Sequence, residues 1–254
     1  MGRIEGKVAL VTGATGGIGK ATIDKFVREG ARVFAFARQE APLRDAVAQH
    51  GASVATATGD ITEEADVARA VASCLDAFGR LDIVFANAGV EGVVKPITDV
   101  TAEELDEIYR VNVRGTFFTL KHGAPPMVKQ GKGSIIVNSS VLGLSGMAGL
   151  SAYAMSKHAV TGLMRSAALE LSPSGVRVNS IHPAAVDNRM MRSIERLAAP
   201  DAPHSVKDKF TSMIPLGRYG TNEEIADLVL FLGSDESSFC SGSTFTADGA
   251  FGAL

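Results

Sequence analysis

A doubly wound α/β fold, with about seven parallel strands and helices on both faces, is the class this sequence predicts. Three observations predict it. Short β-branched runs alternate with helix-length amphipathic segments from residue 7 to about residue 246. Several of the runs, such as Ile83-Val84-Phe85-Ala86 and Ile135-Ile136-Val137, are nearly continuous in apolar residues. Strands of that kind are covered on both faces, as in a parallel sheet between helix layers. Finally, a glycine-rich stretch stands where the first run gives way to the first helical segment, and repeated strand–helix–strand units wind an open sheet.

The elements follow in order. Strands are expected at Val8–Val11, Arg32–Ala37, Ser53–Ala57, Leu81–Ala86, Ser134–Asn138, Val176–Ile181 and Thr244–Thr246. Between them the apolar residues have helical spacing: Val67, Val71, Leu75 and Phe78 share one face, as do Ile225, Leu228, Val229 and Leu232. Two helix starts carry a capping box, Thr101-x-x-Glu104 and Thr221-x-x-Glu224, in which side chain and backbone satisfy each other's free groups. The stretch from Arg189 to about Lys209 has alanines, two prolines and mixed charges but no strand signal. It is expected to form a helical flap, residues 189–213, over a site. With no linker, low-complexity segment or repeat, one domain spanning residues 1–254 is expected to hold both cofactor and chemistry.

Composition removes several classes of function. The 254 residues carry 25 basic against 28 acidic side chains, a net charge of −3, so the basic footprint of a nucleic-acid binder is missing. No apolar run reaches the roughly 18 residues of a membrane helix. The start, Met1 to Gly6, runs into a strand pattern rather than an apolar signal core. Cys74 and Cys240 have neither CxxC spacing nor neighbouring histidines, so no disulfide framework and no metal site is expected. A cytoplasmic setting is the expectation.

The stretch Lys7-Val-Ala-Leu-Val-Thr-Gly13-Ala-Thr15-Gly16-Gly17-Ile18-Gly19 joins the first strand to the first helix. Glycines there let the backbone turn tightly and approach a pyrophosphate, whose charge is favoured by the free amides and dipole of the helix N-terminus. A tight turn without a ligand is the bland alternative, but the strand before it and helix after it favour dinucleotide binding. The spacing Thr12-Gly13-x-x-x-Gly17-Ile18-Gly19 resembles the short-chain dehydrogenase/reductase family, in its single-domain branch. Gly16 also satisfies the TGxxGxxG form of the longer, epimerase-like branch, and the length of the chain argues for the shorter one. The resemblance implies a Rossmann domain.

Roughly 20 residues past such a loop, an acid at the end of the second strand would bind the ribose hydroxyls of NAD. Here Ala37 takes that place and Arg38 follows. A guanidinium matches the geometry of a 2′-phosphate, so NADP(H) is the expected cofactor and NAD(H) the weaker one. Asp60 and Ile61, after the third strand, resemble the family's adenine-contacting pair. Asn87-Ala88-Gly89, after the fourth, resembles its motif beside the adenosine ribose.

Tyr153-Ala-Met-Ser-Lys157 opens a predicted helix, and its i, i+4 spacing puts phenol and ammonium on one face. A nearby cation, with the positive ring of an oxidised nicotinamide, favours the phenolate, so the side chain can give or take a proton. Alone this pair is a weak signal. Ser140, however, lies 13 positions before Tyr153, which matches the family's serine-to-tyrosine interval. Its hydroxyl is expected to hold a substrate oxygen. Strand alternation lets only one of Ser139 and Ser140 face the cleft. Asn112 resembles the family's helix asparagine, which holds a water connecting Lys157 to solvent. Asn179-Ser-Ile-His-Pro183 and Asp248-Gly249 extend the resemblance over essentially the whole chain. Pro183, Val186 and Asn188 are the implied contacts to the nicotinamide side. Ala184 replaces the family's glycine, and Asn188 replaces its threonine.

The resemblance implies a carbonyl reductase, or a secondary-alcohol dehydrogenase in reverse. Leu142, Leu144, Met147, Leu150, Met190 and Met191 flank the expected site and suit an apolar ketone. The same-class rival is a 3-oxoacyl-carrier-protein reductase. Relatives with that task tend to have a basic residue where Ser174 stands, although Lys129 and Lys132 offer another basic patch. A non-catalytic NADP(H) sensor needs only the phosphate loop and Arg38, so the complete Ser140, Tyr153 and Lys157 set argues against it. Glu91 is read as a solvated loop acid. Relatives pair through the helix bearing the tyrosine and the C-terminal segment, so a homotetramer, or a homodimer, is expected.

Overall fold

Strand β1 (Val8–Thr12) is buried along its whole length because it lies in the middle of a sheet. In the computed structural model, which describes residues 2–253, it pairs in parallel with β2 (Arg32–Ala37) on one side and β4 (Ile83–Ala86) on the other. Beyond β2 lies β3 (Val54–Thr58); beyond β4 come β5 (Gly133–Asn138), β6 (Val176–Pro183) and β7 (Thr244–Ala247). The order is β3-β2-β1-β4-β5-β6-β7, every neighbouring pair parallel. The chain therefore moves outward from β1 to β3, then returns to the other side of β1 as β4. The loops leaving β1 and β4 part at their carboxyl ends, which opens the crevice where such sheets bind ligands.

Nine α-helices lie among the described residues: α1 (Gly17–Arg28), α2 (Glu40–Val47), α3 (Glu64–Phe78), α4 (Ala102–Ile108), α5 (Gly115–Gln130), α6 (Ser151–Leu171), α7 (Arg189–Ala198), α8 (Pro203–Ser212) and α9 (Asn222–Gly233). Successive strand residues point to opposite faces. Leu10, Phe34, Phe36, Val84, Ile135 and Val137 meet side chains of α3, α5 and α6. Ala9, Val11, Val33, Ala35, Ile83, Phe85 and Ile136 meet those of α1, α2 and α9 on the other face. The continuous apolar runs in the sequence have this cause: each strand serves two cores at once.

The element boundaries move slightly. β4 starts at Ile83, just after Asp82, whose side chain accepts the Val8 amide at 2.9 Å and pairs with Arg80. β6 runs on to Pro183, which needs no donor at the end of a ladder and lies opposite Ala247. Both expected capping boxes form, at Thr101 with Glu104 and at Thr221 with Glu224; each cap stabilises its helix by about 1 kcal/mol. Residues 189–213 hold two helices, α7 and α8, the latter with Pro203 in its first turn, where the missing amide costs nothing. No helix among the described residues is long and apolar enough to cross a membrane.

Candidate active site

At the end of β1 the chain turns through Gly13, whose φ of +64° an L side chain rarely adopts, and starts α1 with Gly16 as its N-cap. The first turn of α1 holds no acid, so its free amides remain available to an anion. A Cβ on Gly13 would come within 2.9 Å of the Ala88 Cα, and one on Gly19 within 2.4 Å of the Gly13 carbonyl oxygen. Gly17 is held against Asn222, 2.5 Å from such an atom, whereas Gly16 meets only the Gly13 oxygen at 3.3 Å. Gly16 thus keeps an approach open, while Gly19 serves close packing.

Asn87 ties this loop to β4. Its Nδ2 donates to the carbonyls of Thr12 and Gly13 at 3.0 and 3.2 Å. The amides of Asn87 and Ala88 donate to Thr12 Oγ1, and Asn138 donates to Asn87 Oδ1 at 2.8 Å. The Asn87 side chain is therefore a strut between strand ends, a role its place in the sequence did not reveal.

One cavity of about 320 Å³ runs from this loop past the end of β5 to the helices after β6. Gly13, Thr15, Gly16, Gly17, Ile18, Asn87, Ala88 and Gly89 line one end; Ser140, Tyr153, Lys157, Pro183, Val186 and Asn188 line the middle. Leu142, Met147, Leu150, Met190 and Met191 line the far end. Leu144 does not join them: it is 43% exposed, because the turn after Val141–Gly143 aims it outward. The far end gains residues that sequence reading missed, namely Ile194, Phe210, Ile214 and Phe251. Phe210 and Ile214 carry only an ordinary amphipathic signal, and Phe251 none.

Helix α6 starts at Ser151, so Tyr153 and Lys157 lie in its first two turns and both are buried. Lys157 Nζ donates to the Asn138 carbonyl at 2.8 Å and lies 5.5 Å from the centre of the Tyr153 ring. Ser139 faces away from the cleft, hydrogen-bonding the Lys157 carbonyl and Thr161. Ser140 faces inward, beside the phenol, with Leu142 N donating to its Oγ at 3.2 Å. Behind it His182 Nδ1 meets the Ser140 carbonyl and Nε2 meets Ser180 Oγ, both at 2.8 Å. Burial lowers the His182 pKa, which keeps this strut neutral.

The electrostatics depart from the expectation in one respect. Burial pushes the Tyr153 phenol up to about 12; the hydrogen bond to Ser140 opposes this and the charge of Glu91 adds to it. Burial of the phenol outweighs whatever Lys157 contributes, and the same burial takes the pKa of Lys157 down to about 8, where it is still mainly charged at neutral pH.

Asn112 lies behind this pair. It sits in a π-helical turn, Tyr109–Arg114, between α4 and α5, and is buried behind Gly89. Its Oδ1 accepts from Val90 N at 2.8 Å, and its Nδ2 donates to Val90 O and to Ser156 Oγ, both at 3.0 Å. Ser156 Oγ donates in turn to the Tyr153 carbonyl at 2.7 Å. The amide clamps the β4 loop to the tyrosine's helix.

Arg38, Asp60 and Ile61 stand at the carboxyl ends of β2 and β3, outside the cavity wall. Arg38 is exposed, and Asp60 Oδ1 accepts the Thr62 amide. Ile61 packs against Gly115 in the core. This end of the crevice is an open shelf. Asn188 caps α7, accepting from Met190 N at 3.0 Å, and donates to Asn222 at 3.3 Å. Through Asn222 it connects α7 to Gly17. Glu91 is not the solvated acid expected but is 7% exposed.

A dinucleotide fits this cradle. The glycine turn leaves backbone room at Gly16, Lys157 uses only one of its three N–H groups, and Asn138 Oδ1 lines the cavity buried without a partner.

Against known proteins, residues 13–251 match the family described as enoyl-(acyl-carrier-protein) reductase. Levodione reductase from Leifsonia aquatica is 34% identical over 97% of this chain and 94% of that protein. The chain belongs to the short-chain dehydrogenase/reductase family. Cyclohexanol dehydrogenase from an Acinetobacter strain is 32% identical over 98% of this chain and 96% of that protein. The crystal structure of levodione reductase superposes with a TM-score of 0.96 at 33% identity, covering 99% of each chain. That of NAD+-bound xylitol dehydrogenase does so at 0.91 and 32% identity, over 96% of this chain and 98% of that one. Membership makes a nicotinamide dinucleotide the cofactor and oxidation or reduction at an alcohol or carbonyl carbon the reaction class.

Proposed function

We propose that this protein is an NADP(H)-dependent oxidoreductase that reduces an apolar small-molecule ketone to a secondary alcohol, or runs the reverse. The observation that carries the reading is the order of groups along the cavity: a glycine cradle, then Ser140, Tyr153 and Lys157, then an apolar chamber. When bound, the dinucleotide supplies or accepts the hydride. Ser140 orients the carbonyl oxygen, Tyr153 passes the proton to it from the phenol, and Lys157 holds ribose hydroxyls with its free N–H groups. Asn112 acts at one remove, as a positioning residue. Helices α7 and α8 serve as the flap, bringing Met190, Met191 and Phe210 onto the substrate.

Arg38 supports NADP(H) over NAD(H), with an exposed guanidinium where an acid would repel the 2′-phosphate. A small ketone suits the chamber better than a carrier-bound one, since Lys132 of the basic patch is paired with Asp235 at 3.0 Å. Exposed apolar residues on α5 and α6, Phe117, Val128, Met155 and Leu169, suit a homotetramer or homodimer. Sedimentation should then show a species above 26.4 kDa.

The test is a ketone panel assayed with NADPH and NADH, following cofactor absorbance. Turnover of alicyclic or other apolar ketones, faster with NADPH, is expected. In R38A the NADPH preference should fall by about 10- to 100-fold, the worth of one charge-assisted contact. Binding without turnover of any ketone would favour a sensor.

A further inference from the structure

Strand β7 ends at Ala247, opposite Pro183 of the cavity wall, and the chain then turns through Asp248. The Asp248 carboxylate holds the turn from inside: Oδ1 accepts from Ala250 N at 3.0 Å and Oδ2 from Gly252 N at 2.9 Å. Its carbonyl accepts from Phe251 N at 3.1 Å. Gly249 and Ala250 both take a left-handed conformation, φ +60° and +71°. At Gly249 no side chain would fit, since a Cβ there would be 2.6 Å from Ile214 Cγ2. Ala250 is the only non-glycine residue with positive φ among the described residues, and it is exposed, so its own packing returns nothing for the strain.

The turn delivers Phe251. This side chain packs against two apolar clusters, one containing Leu142 and Leu150 beyond β5, the other containing Met191 and Ile214 on the flap side. Among the described residues only Val94 and Phe251 reach both clusters, and of the two only Phe251 lines the cavity. It is half-buried, standing between the far end of the cavity and the surface. The cavity measures about 320 Å³, and the nicotinamide end of a dinucleotide must share it. Little length is left for a substrate.

We propose that Phe251 determines substrate specificity by plugging the seam between the β5 side and the flap, with Asp248 as the positioning residue that aims it. Compact alicyclic ketones are accepted, and ketones with an extended alkyl chain meet the ring and are refused. The inference deepens the reading under Proposed function and rests on it. A large ring without polar atoms suits the task, because an apolar chamber discriminates by fit, at about tenfold or more for one methylene group.

Cyclohexanones bearing a linear alkyl substituent of growing length, from methyl to hexyl, test this. With the native enzyme kcat/KM should fall steeply once the chain reaches the ring. F251A should raise kcat/KM for the hexyl relative to the methyl ketone by about 10- to 100-fold, with the dissociation constant of NADPH unchanged. F251L, a smaller change in packing, should move the ratio the same way by less. D248A should shift the profile as F251A does and add little to it in the double variant. A250G relieves the strain and keeps the clamp, so it should leave the profile in place with a thermal midpoint at or above the native one. A ratio unmoved in both Phe251 variants, or an equal loss at every chain length, overturns the proposal; an unmoved profile in D248A overturns the role of Asp248. If no ketone is turned over with either cofactor, the assigned reaction fails. Dissociation constants of the same ketones from the NADPH complex, read by cofactor fluorescence, then decide the role of Phe251 by the same dependence on length.

Discussion

Lys157 gives its one hydrogen bond to the carbonyl of Asn138, 2.8 Å away, at the carboxyl end of strand β5. It faces the Tyr153 ring at 5.5 Å, and no hydrogen bond joins the two side chains among the described residues. The lysine is thus fixed by the sheet, and its charge is carried at a cost in a buried place.

That cost has a pH signature. Burial lowers the folded-state pKa of Lys157 from 10.5 to about 8, so between these values the unfolded chain binds more protons than the native one. The penalty is fully present below about pH 8 and is relieved as pH rises towards 10.5, by about 3 kcal/mol in all. Relative to K157M, which lacks the proton, the native protein should gain stability between pH 7 and 9.5. Urea midpoints measured at both values check the sign; a constant difference would contradict it.

Replacing Tyr153 with phenylalanine should lower kcat by about 100- to 10,000-fold, the usual worth of a placed proton donor. The dissociation constant of NADPH, read by fluorescence, should stay within a few-fold. Because burial holds the phenol at about 12, ketone reduction by the native enzyme should be flat in pH across neutrality. Alcohol oxidation, which needs the phenolate, should rise with pH.

Ser156 links Asn112 to the Tyr153 carbonyl and is fully buried. S156A leaves one amide hydrogen of Asn112 without a partner and should cost about 1 to 3 kcal/mol of stability. Urea unfolding measures this. A fall in kcat with little change in the KM for NADPH would mark misplacement of the phenol rather than loss of the cofactor site.

The glycines of the first loop should separate by role. An alanine at Gly19 meets the backbone oxygen of Gly13 at 2.4 Å, which cannot give way, so G19A should lose several kcal/mol or fail to fold. An alanine at Gly16 meets the same oxygen at 3.3 Å. G16A should keep its thermal midpoint within a few degrees while NADPH affinity falls by about tenfold or more, since its methyl group occupies the approach to the pyrophosphate. Thermal melts and cofactor titrations on the two variants decide it.

By itself the sequence determined the parallel sheet, its strands to within a residue or two, the two capping boxes, the glycine turn and the helix that carries Tyr153 and Lys157 together. These features are written in local order: apolar continuity, i, i+4 spacing, and residue types that suit one backbone shape. Tertiary structure decided the rest, because it depends on which loops converge at the carboxyl ends of the strands. Phe210, Ile214 and Phe251 reach the cavity from far along the chain. Asn112 and Ser156 are 44 residues apart and meet across a helix packing. Leu144 turns outward, and Glu91, which reads as an ordinary surface acid, is enclosed by the folding of its neighbours. Burial and the direction of a buried charge are properties of the assembled core, and no window of sequence contains them.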